Sequence, residues 1–125
     1  MMPDMIDEIR ALLPLTVDEC RFEDYALHLS GTNWRLRASG PWRLIRGGAI
    51  ETSSGAELRP DMAGKVMALV GLTARDIEVQ SKFAALDIAL VFADERVLEL
   101  FSENIYDDWL LTINDIVIEG PVHAA

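Results

Sequence analysis

Apolar residues recur at every second position through the C-terminal part of this 125-residue chain. The runs are Leu86, Ile88, Leu90 and Phe92; then Leu98 and Leu100; then Trp109, Leu111 and Ile113; then Ile116 and Ile118. This is the period of β-strands with one buried face. Asn114-Asp115 is a two-residue connection whose residues tolerate positive φ. The pattern predicts a four-stranded antiparallel meander over residues 86–118.

The N-terminal part predicts a helix followed by short strands. Pro3-Asp4 opens an amphipathic helix that Pro14 ends. Strands are expected at 16–23, 25–29, 34–38, 42–44 and 49–52, separated by Gly- and Asn-containing turns. Pro60-Asp61 opens a second helix, which Gly71 is placed to end, and a strand containing Ile77 and Val79 follows it.

The two halves of the chain resemble each other. Residues 11–16 align without gaps on residues 68–73, so that Leu15-Thr16 matches Leu72-Thr73. Further matches are Cys20 with Ile77, Phe22 with Val79, Trp42-Arg43-Leu44 with Trp109-Leu110-Leu111, and Ile50-Glu51 with Ile118-Glu119. Each half reads as one helix and five strands, which indicates an internal duplication.

These patterns predict one α+β domain that is predominantly antiparallel β. Its pseudo-repeated helix-plus-meander halves, residues 4–52 and 61–119 with a linker at 53–60, would pack as a sandwich or a partly open barrel. A chain of this length can bury a substantial core as a single domain.

The net charge of −10 is unevenly distributed. Residues 1–24 carry seven acids against two arginines, residues 25–75 carry seven bases against three acids, and the remainder carries eleven acids against two bases. An acidic chain disfavours nucleic acid as a partner, because phosphate binding relies on cations. A basic protein partner suits this charge, and so does a merely solvated acidic surface.

The remaining composition points to the cytoplasm. No apolar run approaches the ~18 residues that span a bilayer, so no membrane partner is expected. The first ten residues are acidic, where a secretory signal would be basic. The single cysteine, Cys20, cannot form an internal disulfide, which fits a reducing compartment.

One sequence signature lies in residues 69–120. Phe92-x-Asp94, Leu98-x-Leu100 and Tyr106-Asp107-Asp108-Trp109 follow Leu69-Val70-Gly71. This set resembles a group of small uncharacterised bacterial domains that carry a strand-turn-strand followed by a Tyr-acid-x-Trp signature. The turn glycine usual in that group is replaced here by Glu95-Arg96. Some members of such groups are suspected toxin-immunity proteins, so the resemblance implies a protein-binding role and carries over no catalytic residues.

Two charged clusters are candidate binding sites. The acidic one comprises Asp94, Glu95, Glu99, Glu103, Asp107 and Asp108, and it is either a docking face for a basic protein or a solvated rim. The cationic one comprises Arg35, Arg37 and Arg43, which Arg46 can join, with Trp42 beside them if that ring is exposed. Arginines on adjacent strands can bind carboxylates or phosphates, or they can pair with the acidic half within the chain or across a homodimer.

No residue set predicts catalysis, a metal or a cofactor. His28, His123 and Cys20 match no metal-ligand spacing, and Cys20 is expected in the core. Gly47-Gly48 and Ser53-Ser54-Gly55 lack the features of a phosphate loop. The sequence therefore predicts a non-catalytic acidic protein that binds another, basic protein. The alternative is a small-anion-binding or structural homodimeric domain.

Overall fold

The computed structural model describes residues 2–80, 85–103, 108–120 and 122–123. Its helices are α1 (Met2–Arg10) and α2 (Pro60–Met67), with a 3-10 turn at Ala56–Leu58. Its strands are β1 (Leu15–Thr16), β2 (Glu19–Glu23), β3 (Ala26–Gly31), β4 (Trp34–Ala38), β5 (Trp42–Arg46), β6 (Ala49–Ser53), β7 (Thr73–Val79), β8 (Ala85–Leu86), β9 (Ile88–Phe92), β10 (Val97–Leu100), β11 (Trp109–Ile113), β12 (Ile116–Gly120) and β13 (Val122–His123). No helix within these ranges is long and apolar enough to cross a membrane.

The strands form two main antiparallel sheets. Sheet 1 has six strands in the order β1-β7-β9-β10-β5-β6, and sheet 2 has five in the order β12-β11-β4-β3-β2. A two-stranded ribbon pairs β13 with β8. The prediction of a mostly antiparallel β protein with two helices is thus confirmed.

The prediction of a continuous meander over residues 86–118 is wrong. β9 and β10 form one hairpin in sheet 1, with Leu98 opposite Leu90 as expected. β11 and β12 form a second hairpin, joined at Asn114-Asp115 as predicted, but this hairpin belongs to sheet 2. The chain changes sheets after β10 because β11 pairs with β4 of the N-terminal half.

Both sheets are assembled from both halves of the chain. Sheet 1 joins the run β7-β9-β10 to the hairpin β5-β6, and sheet 2 joins the run β2-β3-β4 to the hairpin β11-β12. The junctions are β10 with β5 and β4 with β11. A third junction pairs β1 with β7, with Thr16 directly opposite Thr73. The two halves therefore exchange hairpins.

The inner faces of the two sheets share one hydrophobic core. Its largest fully buried side chains are Trp109, Phe92, Ile9, Leu27, Leu29, Leu36, Leu44, Leu69, Ile77, Ile88, Leu90 and Leu98. All three tryptophans, Trp34, Trp42 and Trp109, are buried. The indole of Trp109 lies over Gly120, its cross-strand neighbour, where any Cβ would collide with the ring. A glycine is therefore required at this position.

A β-bulge shifts the register of the hairpin β5-β6 between Leu44 and Ile45. The sequence match pairs Ile50 with Ile118, but Ile50 is 60% exposed and Ile118 is 2% exposed. Across the hairpins, Leu44 faces Thr52 and Leu111 faces Ile118. Thr52 is buried and donates a hydrogen bond to the Met62 carbonyl at 3.0 Å. Thr52, rather than Ile50, thus occupies the buried position opposite Leu44.

Candidate functional site

The predicted cationic cluster divides between opposite sides of the molecule. Arg35 and Arg37 lie on β4 in sheet 2, whereas Arg43 lies on β5 in sheet 1. The expectation that the strand after β4 would bring Arg43 beside them is wrong, because β5 pairs with β10 and β6 instead. Trp42 is also not part of an exposed patch, since it is 3% exposed and stacks on Phe22.

Arg43 is neutralised within its own sheet. Glu99 lies directly opposite it on β10, and the two side chains form an ion pair. The guanidinium also lies 5.1 Å from the ring centre of Phe101, within cation–π range. Arg43 therefore holds the junction between β5 and β10 together.

Arg35 and Arg37 line an open groove of about 730 Å³ on the outer face of sheet 2. The groove crosses four strands. Its two cross-strand rows are Arg21, His28, Arg37 and Leu110, and Glu19, Ser30, Arg35 and Thr112. The intervening residues of β3, β4 and β11 point into the core, which places these rows on the solvent side.

The charges of the groove are only partly compensated. Arg21 on the rim pairs with Glu23 at 3.1 Å and Glu19 at 3.4 Å. Arg35 and Arg37 have no ion-pair partner within residues 2–80, 85–103 and 108–120, and the buried Nε of Arg37 has no hydrogen-bond partner there. Three arginines against one glutamate leave the lining with a net charge of +2.

The two sheet junctions differ at matching positions. In sheet 1 the arginine at the junction faces an acid, Glu99. In sheet 2, Arg37 faces Leu110 and Arg35 faces Thr112. A leucine and a threonine cannot neutralise a guanidinium, so β4 presents two uncompensated positive charges on an otherwise acidic protein.

The predicted acidic cluster is mostly engaged within the chain. Asp94 contacts Arg96 at 3.1 Å, Glu95 contacts Arg75 at 2.9 Å, and Glu99 pairs with Arg43. Asp107 lies outside the described residues. Glu95 and Glu103 are exposed, so these two carboxylates remain accessible to solvent.

Asp108 does not lie on an exposed acidic face, because it is 5% exposed. Its Oδ2 accepts a hydrogen bond from the Glu103 backbone N–H at 2.9 Å. Its carbonyl accepts from the N–H groups of Ser39 and Gly40 at 2.9 and 2.8 Å. Asp108 thus fixes the chain between β10 and β11 against the chain between β4 and β5.

A buried carboxylate that sequence reasoning did not single out is Asp87, which is 9% exposed. Its Oδ1 accepts from the Ser102 hydroxyl at 2.6 Å and from the Trp109 indole N–H at 2.9 Å. Its Oδ2 accepts from the Ser102 backbone N–H at 2.9 Å. The sequence signal was a lone acid inside an apolar strand pattern, which is typical of a buried polar group with dedicated partners.

Cys20 lies in the core, whereas His28 lies on the outer face of sheet 2. Cys20 is buried as predicted, its Sγ lies 3.7 Å from the Val66 carbonyl oxygen, and burial raises the pKa of its thiol to about 11. It is therefore a neutral, unreactive thiol near pH 7. His28 is half-buried in the groove. Within the part of the chain that the structure describes, no three His, Cys, Asp or Glu residues could hold a metal ion together.

Comparison of this chain with protein-family models, curated proteins and solved structures finds no match.

Proposed function

We propose that this protein is a non-catalytic binding protein and that the groove on the outer face of sheet 2 binds an anionic ligand. The observation that carries the proposal is the pair Arg35 and Arg37, side by side on β4 and without an acid opposite them. Guanidinium groups in this arrangement bind carboxylate or phosphate groups through paired N–H donors. The volume of the groove is that of a small-molecule site.

The second support is the contrast with most of the other arginines. Those with carboxylate partners within 4 Å are Arg10, Arg21, Arg43, Arg75 and Arg96, whereas Arg46 and Arg59 are exposed and have no ion pair within the described residues. An acidic protein can readily supply such a partner, so two uncompensated neighbours on one strand are unusual for it. A bound anion would supply the missing charge.

The test is the affinity for a polyanionic dye, pyrenetrisulfonate, measured by fluorescence anisotropy at fixed ionic strength. The double variant R35A/R37A loses several charge-assisted hydrogen bonds, so the affinity should fall about tenfold or more. R46A is the matched control, because Arg46 is an exposed arginine at the end of β5 in the other sheet. Equal affinity of the wild type and R35A/R37A would refute the proposal.

A basic protein partner is a second candidate, favoured by the net charge of −10 and by the exposure of Glu95 and Glu103. The toxin of a toxin–immunity pair would be such a partner. A labelled hexalysine peptide in the same assay addresses it. Binding that survives R35A/R37A and is lost in E95Q/E103Q would support this candidate over the anion groove.

We further infer that the chain arose by duplication of a unit of one helix and five strands. The aligned sequences of residues 11–16 and 68–73 support this, as does the exchange of hairpins between the two sheets. The pairing of β1 with β7 adds to it. Thr16 and Thr73 are matched in the sequence alignment and lie opposite each other, as they would on a twofold axis. Outside this contact the copies have diverged, since the pair Arg43–Glu99 corresponds to Leu110–Arg37.

A further inference from the structure

We propose that the anion bound in the groove is the phosphate group of a small phosphate monoester. This inference rests on the proposed function and names its ligand class. It is supported by the residues around Arg35 and Arg37, which include hydroxyl and apolar side chains that a simple carboxylate site does not need. The relevant neighbours are Ser30, Thr112 and Leu110.

The first step is the set of hydrogen-bond donors. Ser30 on β3 and Thr112 on β11 lie directly opposite Arg35, one on each side. Directly opposing residues have Cβ atoms about 4.5–5.5 Å apart, so each hydroxyl flanks the Arg35 side chain from its own side. Arg37, two residues along β4, lies in the next row. Two forked guanidiniums therefore share one face of β4, with one hydroxyl on either side of Arg35.

The second step is the charge and shape of the ligand. A phosphate monoester carries about −1.5 to −2 charges and three terminal oxygens at neutral pH. Two uncompensated guanidiniums match that charge, and a hydroxyl beside Arg35 adds a donor for a third oxygen. A carboxylate has one charge and two oxygens, so it would leave one arginine uncompensated. The donor set thus fits a dianionic, tetrahedral group better than a planar monoanion.

The third step is the organic part of the ligand. Leu110 lies opposite Arg37 and is half-buried at the side of the groove towards β11. It offers apolar contact to a substituent on the phosphate, which inorganic phosphate would not use. The groove volume of about 730 Å³ leaves space for a substituent the size of one ring.

The experiment compares phenyl phosphate, benzenesulfonate and benzoate, which share the phenyl ring, at pH 8 and fixed ionic strength. Affinities come from NMR titration of the ¹⁵N-labelled full chain, which also reports whether each variant remains folded. We expect phenyl phosphate to bind about tenfold more tightly than either monoanion, the factor that one additional charge-assisted hydrogen bond gives. Its largest shifts should fall on the amides of Ser30, Arg35, Arg37 and Thr112.

Two variants test the contributions of the hydroxyls and of the guanidiniums separately. S30A/T112V keeps both arginines, so it should weaken phenyl phosphate by about threefold to tenfold and leave benzoate unchanged. R37K keeps the positive charge and removes the forked guanidinium. It should also lower the affinity for phenyl phosphate relative to that for benzoate. R46A should change none of these affinities.

The outcomes distinguish the two proposals. If benzoate or benzenesulfonate binds as tightly as phenyl phosphate, or if S30A/T112V has no effect on phenyl phosphate, the phosphate assignment fails while the anion groove stands. If none of the anions shifts the groove amides, both fail. A phosphotyrosine peptide that binds about tenfold more tightly than phenyl phosphate would overturn the assignment to a small molecule.

Discussion

At the scale of single residues, the buried side chain of Asp87 accepts several hydrogen bonds. Its carboxylate accepts three, from two groups of Ser102 and from the indole of Trp109. Asp87 lies between β8 and β9, so these bonds connect the start of β9 to the chain after β10 and to β11. Because β11 belongs to the other sheet, this carboxylate ties the two sheets together.

We expect Asp87→Asn to destabilise the protein by about 1–3 kcal/mol, the usual cost of a buried donor that loses its acceptor. The amide NH₂ must face either the Ser102 backbone N–H or the Trp109 indole N–H, and both of these are donors. The measurement is the free energy of unfolding from urea titration, followed by tryptophan fluorescence.

Asp18→Asn is the matched control, because Asp18 is exposed and lies in the connection between β1 and β2. It should change the free energy of unfolding by less than about 0.5 kcal/mol. If Asp87→Asn also left the free energy of unfolding unchanged, the hydrogen bonds of Asp87 would contribute no net stability.

Single-residue patterns in the sequence predicted part of the candidate site. The spacing of Arg35 and Arg37 places them on one face of one strand, because strand side chains alternate, and this holds in the structure. Arg43 and Trp42 were assigned wrongly, since their position depends on which strand β5 pairs with. The roles of Ser30 and Thr112 also depend on strand register, which no local pattern provides.

At the scale of elements, the turn between β2 and β3 is strained. Asp24 and Tyr25 form a two-residue connection with φ values of 52° and 61°. Two successive positive φ values are those of a type I′ turn, which favours Asn-Gly. Tyr25 is 89% exposed, so its ring gains little from burial in compensation.

We therefore expect Tyr25→Gly to raise the free energy of unfolding by about 0.5–1 kcal/mol, because glycine adopts this φ without a Cβ clash. Urea titration against the wild type measures the change. The control is Tyr25→Ala, which also removes the ring but keeps a Cβ. A higher free energy of unfolding in both variants would show that loss of the tyrosine ring is the cause. No increase in either variant would show that the turn is not strained.

Turns of this kind were the most predictable elements. Asn114-Asp115 and the turn that ends in Asn33 join hairpins as expected, and Asn114 and Asn33 both adopt positive φ. Both helices begin at or next to the predicted prolines. These features depend on residues within a few positions of each other, so the local sequence is sufficient to specify them.

At the scale of the whole molecule, each half needs the hairpin of the other. Neither half can complete a sheet, because the edges of β4 and β10 form their hydrogen bonds with β11 and β5 of the opposite half. Fragments 1–55 and 56–125, split after Gly55, should therefore be unfolded or aggregated alone and should recover β-sheet circular dichroism when mixed in equal amounts.

The control for the fragment experiment is each fragment at twice the concentration, which keeps total protein constant. A cooperative thermal transition in the equimolar mixture and none in the separate fragments would fit the exchanged hairpins. A monomeric fragment that folds by itself would contradict the mutual dependence of the halves.

The sequence by itself determined the local structure of this protein. Alternation of apolar residues specified which side chains face the core, and prolines, glycines and asparagines specified where helices and turns begin and end. These properties follow from backbone sterics and from the period of each element, which neighbouring residues alone control.

Only the tertiary structure decided which strands are neighbours. The edge of any strand offers the same N–H and C=O groups, so pairing partners are selected by the fit of a whole packed core and not by local sequence. That selection sends β5 and β11 to opposite sheets. It gives Arg43 an acid, leaves Arg35 and Arg37 without one, and so creates the groove.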